Sequence, residues 1–160
     1  MIPRTTVFAL TLAGLTLLAP YSRAGENNEA VAAYQDIEAT LGQVPTMLKV
    51  FPEVGIAGAW REFKSVQLNP NTALDGKTKE LLGLAVASQI PCEYCIYFHT
   101  AAAKANGATD EEIHEAVAMA AIVRHWSTVL NGNQVDFGTF KAETDAIIAR
   151  AASKAAKSSQ

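Results

Sequence analysis

The run Cys92-Glu93-Tyr94-Cys95-Ile96-Tyr97-Phe98-His99 holds both cysteines of the chain and one of its three histidines. Residues three, four and seven apart share a helix face, so a helix over this run sets Cys92, Cys95 and His99 on one stripe. Pro91 marks the start of that helix. Cys92 and Cys95 then lie near free backbone N–H groups and the positive end of the helix dipole, which favours thiolate over thiol. Thiolate is the reactive form, and a pair three residues apart near a helix start is close enough to close into a disulfide. Two thiols and an imidazole so held point to redox chemistry.

Other uses of the same residues are open to argument. A purely structural disulfide over so short a loop removes little entropy from the unfolded chain. Covalent haem attachment needs His directly after the second cysteine, and Ile96 stands there. Zinc could take Cys92, Cys95 and His99, but structural zinc sites draw a second ligand pair from a distant segment, where only His114 and His125 are available. A thioredoxin fold would precede the pair with a strand, whereas a helical pattern precedes it here. Inert buried cysteines also stay open, since Cys is among the most buried residue types.

The elements that must position this stripe read as helices from Glu26 onward, with no sustained period-two alternation, so the expected fold class is all-α. Ala30, Tyr34, Ile37 and Leu41 share one face of a first helix, opened by Asn27 or Asn28 and ended by Gly42. Thr46 is placed to cap a short helix through Phe51, and Pro52 suits the first turn of the next, which carries Val54, Ala57, Trp60 and Phe63 toward a core. Asn69-Pro70-Asn71 stops it, and a further helix runs from about Leu74 to Ile90 with Leu81, Leu82, Leu84, Ala85 and Ala87. The cysteine helix continues through Phe98 and Ala102 to Asn106-Gly107. Thr109-Asp110-Glu111-Glu112 has the form of a capping box and opens a long helix to about Leu130. A last helix runs from about Asp136 into an Ala/Lys tail that is expected to fray beyond Lys154.

Composition sets outer limits. The chain has 160 residues, 49% of them hydrophobic and 18% charged, the balance of a single globular domain. Thirteen basic residues stand against sixteen acidic ones with no basic stripe, which argues against nucleic acid as a partner. Residues 1–24 read as a signal peptide: Arg4, an apolar run from Val7 to Ala19, Pro20, and Ser22-Arg23-Ala24 as the cleavage site. The run is shorter than the about 20 apolar residues of a spanning helix. Residues 25–160 then form the mature domain, exported and expected in the periplasm, where an oxidising setting lets the cysteine pair cycle through a disulfide.

Glu80, twelve positions before Cys92, followed by Cys-x-x-Cys-x-x-x-His, an Ala-rich helix, Gly107 and the Thr-Asp-Glu-Glu start, resembles the alkylhydroperoxidase D (AhpD)-like branch of the carboxymuconolactone decarboxylase superfamily. The resemblance covers roughly Leu41 to Ala146. It implies an AhpD-like helical domain that assembles as trimers or hexamers and reduces hydroperoxides. By the same resemblance Cys95 is the peroxide-attacking thiol, Cys92 its resolving partner, and Glu80 and His99 the proton relay. No metal or bound organic cofactor is implied, but a dithiol or protein reductant is. Tyr94 stands where some members carry His immediately before the second cysteine, a departure that bears on peroxidase efficiency and substrate. The decarboxylase branch lacks the cysteine pair, so lactone decarboxylation is not implied. Two other readings are carried forward: a thiol–disulfide oxidoreductase serving a partner protein, and a non-enzymatic oligomeric binding module. On its own, Glu80 within Lys77-Thr78-Lys79-Glu80 reads as a surface carboxylate, and helix-dipole reasoning alone would make Cys92 the more acidic thiol.

Overall fold

A computed structural model describes the backbone of residues 23–158 and the side-chain surroundings of residues 28–157. The regular structure of the described residues is helical, with no strand among them: α1 (Arg23–Leu41), α2 (Thr46–Lys49), α3 (Glu53–Glu62), a π-helical turn (Phe63–Gln67), α4 (Gly76–Gln89), α5 (Glu93–Ala105), α6 (Asp110–Gly132) and α7 (Phe137–Ser158). The all-α expectation is met. The expected signal segment lies outside the described residues as far as residue 22, and α1 begins upstream of the Asn27 or Asn28 start read from sequence.

The chain forms two compact units, one ending at Lys64 and the other beginning at Ser65. In the first, α1 packs on α3 around Ala30, Ala33, Ile37, Ile56 and Trp60, with Tyr34, Val44, Leu48, Ala57 and Phe63 against that cluster. Trp60 donates its indole N–H to Asp36 Oδ2 at 2.6 Å, which lets the buried ring keep its one polar group satisfied. Lys64 joins the same carboxylate at 2.7 Å. Val54, expected in the core, is 72% exposed, and Ile56 takes the buried position instead. Ile56 and Trp60, four residues apart, define the buried face of α3, and Val54 lies on the far side of the helix from it. Pro52 is the N-cap of α3, not a first-turn residue, and Pro45 rather than Thr46 caps α2.

In the second unit α4 packs against both α5 and α6. Asp75 caps α4 by accepting from the Thr78 amide at 2.7 Å. The buried stripe of α4 is Glu80, Leu84 and Ala87, four and then three residues apart, as one helix face requires. Leu82, part of the apolar pattern of this helix, is half exposed. α5 closes with Asn106 and with Gly107 at φ +83°, a left-handed residue where Gly avoids the Cβ penalty. The Gly107 and Ala108 amides bond back to Lys104 and Ala103 carbonyls at 3.0 and 2.9 Å, a Schellman ending. The Thr109/Glu112 capping box at the head of α6 is formed in both directions. α6 runs past Leu130 to Gly132, and α7 stays helical to Ser158, its Ala/Lys tail being made of strong helix formers.

Candidate functional site

Cys92 is the N-cap of α5, in extended backbone, and its sulfur accepts from the Cys95 amide at 3.2 Å. The Cys92 amide in turn bonds to the Ala87 carbonyl at 3.2 Å, so the cap is tied directly to the end of α4. Cys92 and Cys95 are joined in a disulfide with their Cα atoms 5.2 Å apart. The pair thus sits at the start of α5 as the Pro91 signal implied, with one refinement: Cys92 is outside the first helical turn, and its sulfur does the work of a capping oxygen. Both cysteines are partly buried.

One helical turn beyond Cys95, His99 is held from α4. Its Nδ1 lies 2.7 Å from Glu80 Oε2. Glu80 is 4% exposed, which overturns its reading as a surface carboxylate. The two lysines that could have paired with it are engaged elsewhere: Lys77 with Glu112 at 2.7 Å on α6, and Lys79 with the Asn69 carbonyl at 2.7 Å. A buried carboxylate needs donors, and here they are the imidazole and an amide. Gln67 Nε2 stands 3.2 Å from Oε1 and 3.4 Å from Oε2 of the same group. A carboxylate only accepts, so the hydrogen between it and His99 sits on Nδ1, leaving Nε2 as the nitrogen available for proton exchange.

Two residues that sequence reasoning did not single out shape this arrangement. Gln67 gave no signal, being one polar residue near a helix end. Gly83 did give one, as an isolated glycine within an apolar helical pattern, a position that often marks close approach of a neighbour. A Cβ added at Gly83 would run into the His99 ring, 2.8 Å from Nε2 and nearer still to Nδ1 and Cε1. The missing side chain is therefore the space in which the imidazole lies.

His114 and His125 are exposed on α6. Among the described residues no group of three or more His, Cys, Asp or Glu side chains gathers as a metal would require. Around the disulfide the surface is aromatic, with Tyr94 and Tyr97 almost wholly exposed. The site thus combines a two-electron thiol couple with a carboxylate–imidazole pair, all on α4, α5 and the turn before them.

Comparison with known proteins bears on the family and the fold. Residues 55–135 match the model of the carboxymuconolactone decarboxylase family. An uncharacterised protein of the cox locus of Paracoccus denitrificans is 40% identical over 62 residues, which span 39% of this chain and 56% of the relative's length. The chain therefore matches little more than half of that relative. The crystal structure of the alkylhydroperoxidase AhpD core from Rhodospirillum rubrum aligns with a TM-score of 0.60 at 27% identity, covering 77% of this chain and 94% of that one. With the helical fold and the Cys-x-x-Cys pair at the head of α5, these matches make the chain an AhpD-like member of the carboxymuconolactone decarboxylase family.

Proposed function

We propose that this protein is a thiol peroxidase that reduces hydroperoxides through Cys92 and Cys95, with Glu80 and His99 moving the proton. The observation that carries the reading is the Cys92–Cys95 disulfide at the head of α5, one turn from an imidazole fixed by a buried carboxylate. An inert structural staple would need no such pair behind it. The likeness to the alkylhydroperoxidase core of Rhodospirillum rubrum supports the same chemistry.

The reaction begins with the dithiol. Cys95 gives its proton to His99 and, as thiolate, attacks the terminal oxygen of the hydroperoxide; the O–O bond breaks, and the departing alkoxide takes a proton from the relay to leave as alcohol. Cys95 is now a sulfenic acid. Cys92 gives up its thiol proton, its thiolate attacks the Cys95 sulfur, the S–O bond breaks, and the leaving hydroxide takes that proton to depart as water as the disulfide forms. A dithiol donor restores both thiols by exchange, its own sulfurs ending as a disulfide. In this reading residues 1–24 direct export, and the working form is a homo-oligomer.

Stopped-flow oxidation of the reduced protein tests the proposal. Two thiols per chain should be lost with a rate that rises with hydrogen peroxide or an organic hydroperoxide and far exceeds that of free cysteine. Thiol loss driven only by a protein disulfide would show a thiol–disulfide oxidoreductase instead. Indifference to both would leave a binding module.

A further inference from the structure

We infer that Gln67 is a positioning residue for the Glu80–His99 pair, and this rests on the reading of that pair as the proton relay. Gln67 ends the π-helical turn Phe63–Gln67, an irregular geometry that recurs at functional sites. Its side-chain amide reaches both oxygens of Glu80, at 3.2 and 3.4 Å. Bonds to two oxygens fix the plane of a carboxylate as well as its place, and that plane aims Oε2 at His99 Nδ1, 2.7 Å away.

The type of residue matters as much as its position. A buried carboxylate with no donor on Oε1 would be left with an unsatisfied oxygen at 4% exposure. A lysine or arginine in place of Gln67 would fill it but would compete with the imidazole for the charge. An amide supplies the hydrogen bonds and no charge, so it does not replace the imidazole as the partner of Oε2. The lysines nearest in sequence are held away by Glu112 and by the Asn69 carbonyl, which preserves that arrangement. Gly83 completes it from the other side, since the ring can lie against α4 only where no Cβ projects. Gln67 touches neither thiol in this scheme; it acts through Glu80.

The test uses Gln67→Met, similar in length without donors, and Gln67→Glu, which sets an acceptor against a carboxylate. Two readouts are needed. The first is the His99 ring N–H signal in the ¹H–¹⁵N spectrum of the disulfide form, which does not depend on peroxide chemistry. In the parent it should report a hydrogen on Nδ1 that is protected from exchange, and in Gln67→Met that protection should fall while the backbone amide pattern is kept. The second is the peroxide step in the reduced protein, expected to slow roughly tenfold in Gln67→Met and further in Gln67→Glu, because small misplacement of a catalytic group can cost up to about 10²-fold. If both variants keep the parent's ring signal and rate, Gln67 positions nothing and the inference falls while the relay stands. If the parent itself lacks a protected Nδ1–H, the relay and the inference fall together. Altered ring protection in a protein inert to peroxide would uphold the placement by Gln67 and remove the peroxidase reading.

Discussion

Cys92 caps α5 with its own sulfur, and that bears on which thiol meets the oxidant. The Cys95 amide lies 3.2 Å from the Cys92 sulfur, and once the disulfide is reduced a donor so placed would favour thiolate at Cys92, in the direction that dipole reasoning from the sequence anticipated. A stabilised thiolate is suited to the second step, attack on a sulfenic sulfur. Cys95 has what the first step needs, an imidazole one turn along the same face. Cys95→Ser should therefore abolish the peroxide step. Glu80→Gln and His99→Ala should leave the helical circular dichroism unchanged and slow that step by roughly 10²-fold or more, the scale of a lost general acid–base group, as stopped-flow would read. The cysteine stripe was legible because helix spacing alone aligns positions 92, 95 and 99. The depth of Glu80 was not, because a carboxylate beside two lysines looks solvated until their partners, Glu112 and the Asn69 carbonyl, are known.

At the level of elements, α4 packs on α5 with the His99 ring lying against Gly83. Gly83→Ala should improve helix propensity yet destabilise the protein, by roughly 1–3 kcal/mol for an overpacked contact, and should also slow the peroxide step as the ring is displaced. Urea denaturation and stopped-flow check the two halves; a stabilised, fully active variant would contradict the packing described here. Thr109→Ala removes one arm of the capping box and should cost about 1 kcal/mol in the same denaturation experiment while sparing thiol chemistry. The helices were readable from apolar spacing, and their ends from residues with fixed local chemistry, such as Gly107 and Thr109. Val54 was misassigned to the core, and the π-helical turn was missed, because periodicity gives a face without saying which side of it another helix will cover.

On the scale of the whole molecule, carboxylates on the surface tie stability to pH. Asp36 is held below the usual carboxylate range by its bonds from Lys64 and Trp60, Asp75 by the Thr78 amide, Asp110 by Lys104 and Asp136 by Thr139. A carboxylate with a lowered folded-state value contributes stability above its unfolded value, near about 4, and loses it as pH falls through the folded value. The thermal midpoint should therefore vary little from neutral pH down to about 5 and drop below about 4. Each of these groups is solvent-exposed, so each contribution is small and salt should weaken it. α6 and α7 expose Val123, Trp126, Phe137, Ile147 and Ile148, apolar side chains that an assembly of copies would cover. Light scattering on the protein should give a multiple of the chain mass, a trimer or hexamer, and a clean monomer at micromolar concentration would count against the assembly proposed here.

The assignment of Cys95 as the peroxide-attacking thiol is tested most directly by mass spectrometry of Cys92→Ser treated with one equivalent of hydroperoxide and a dimedone-type trap. With no resolving thiol, Cys95 should stop at the sulfenic acid and carry the trap on nearly every chain. A Cys92→Ser protein that stays unmodified, with Cys95→Ser trapped at Cys92 instead, would contradict the assignment.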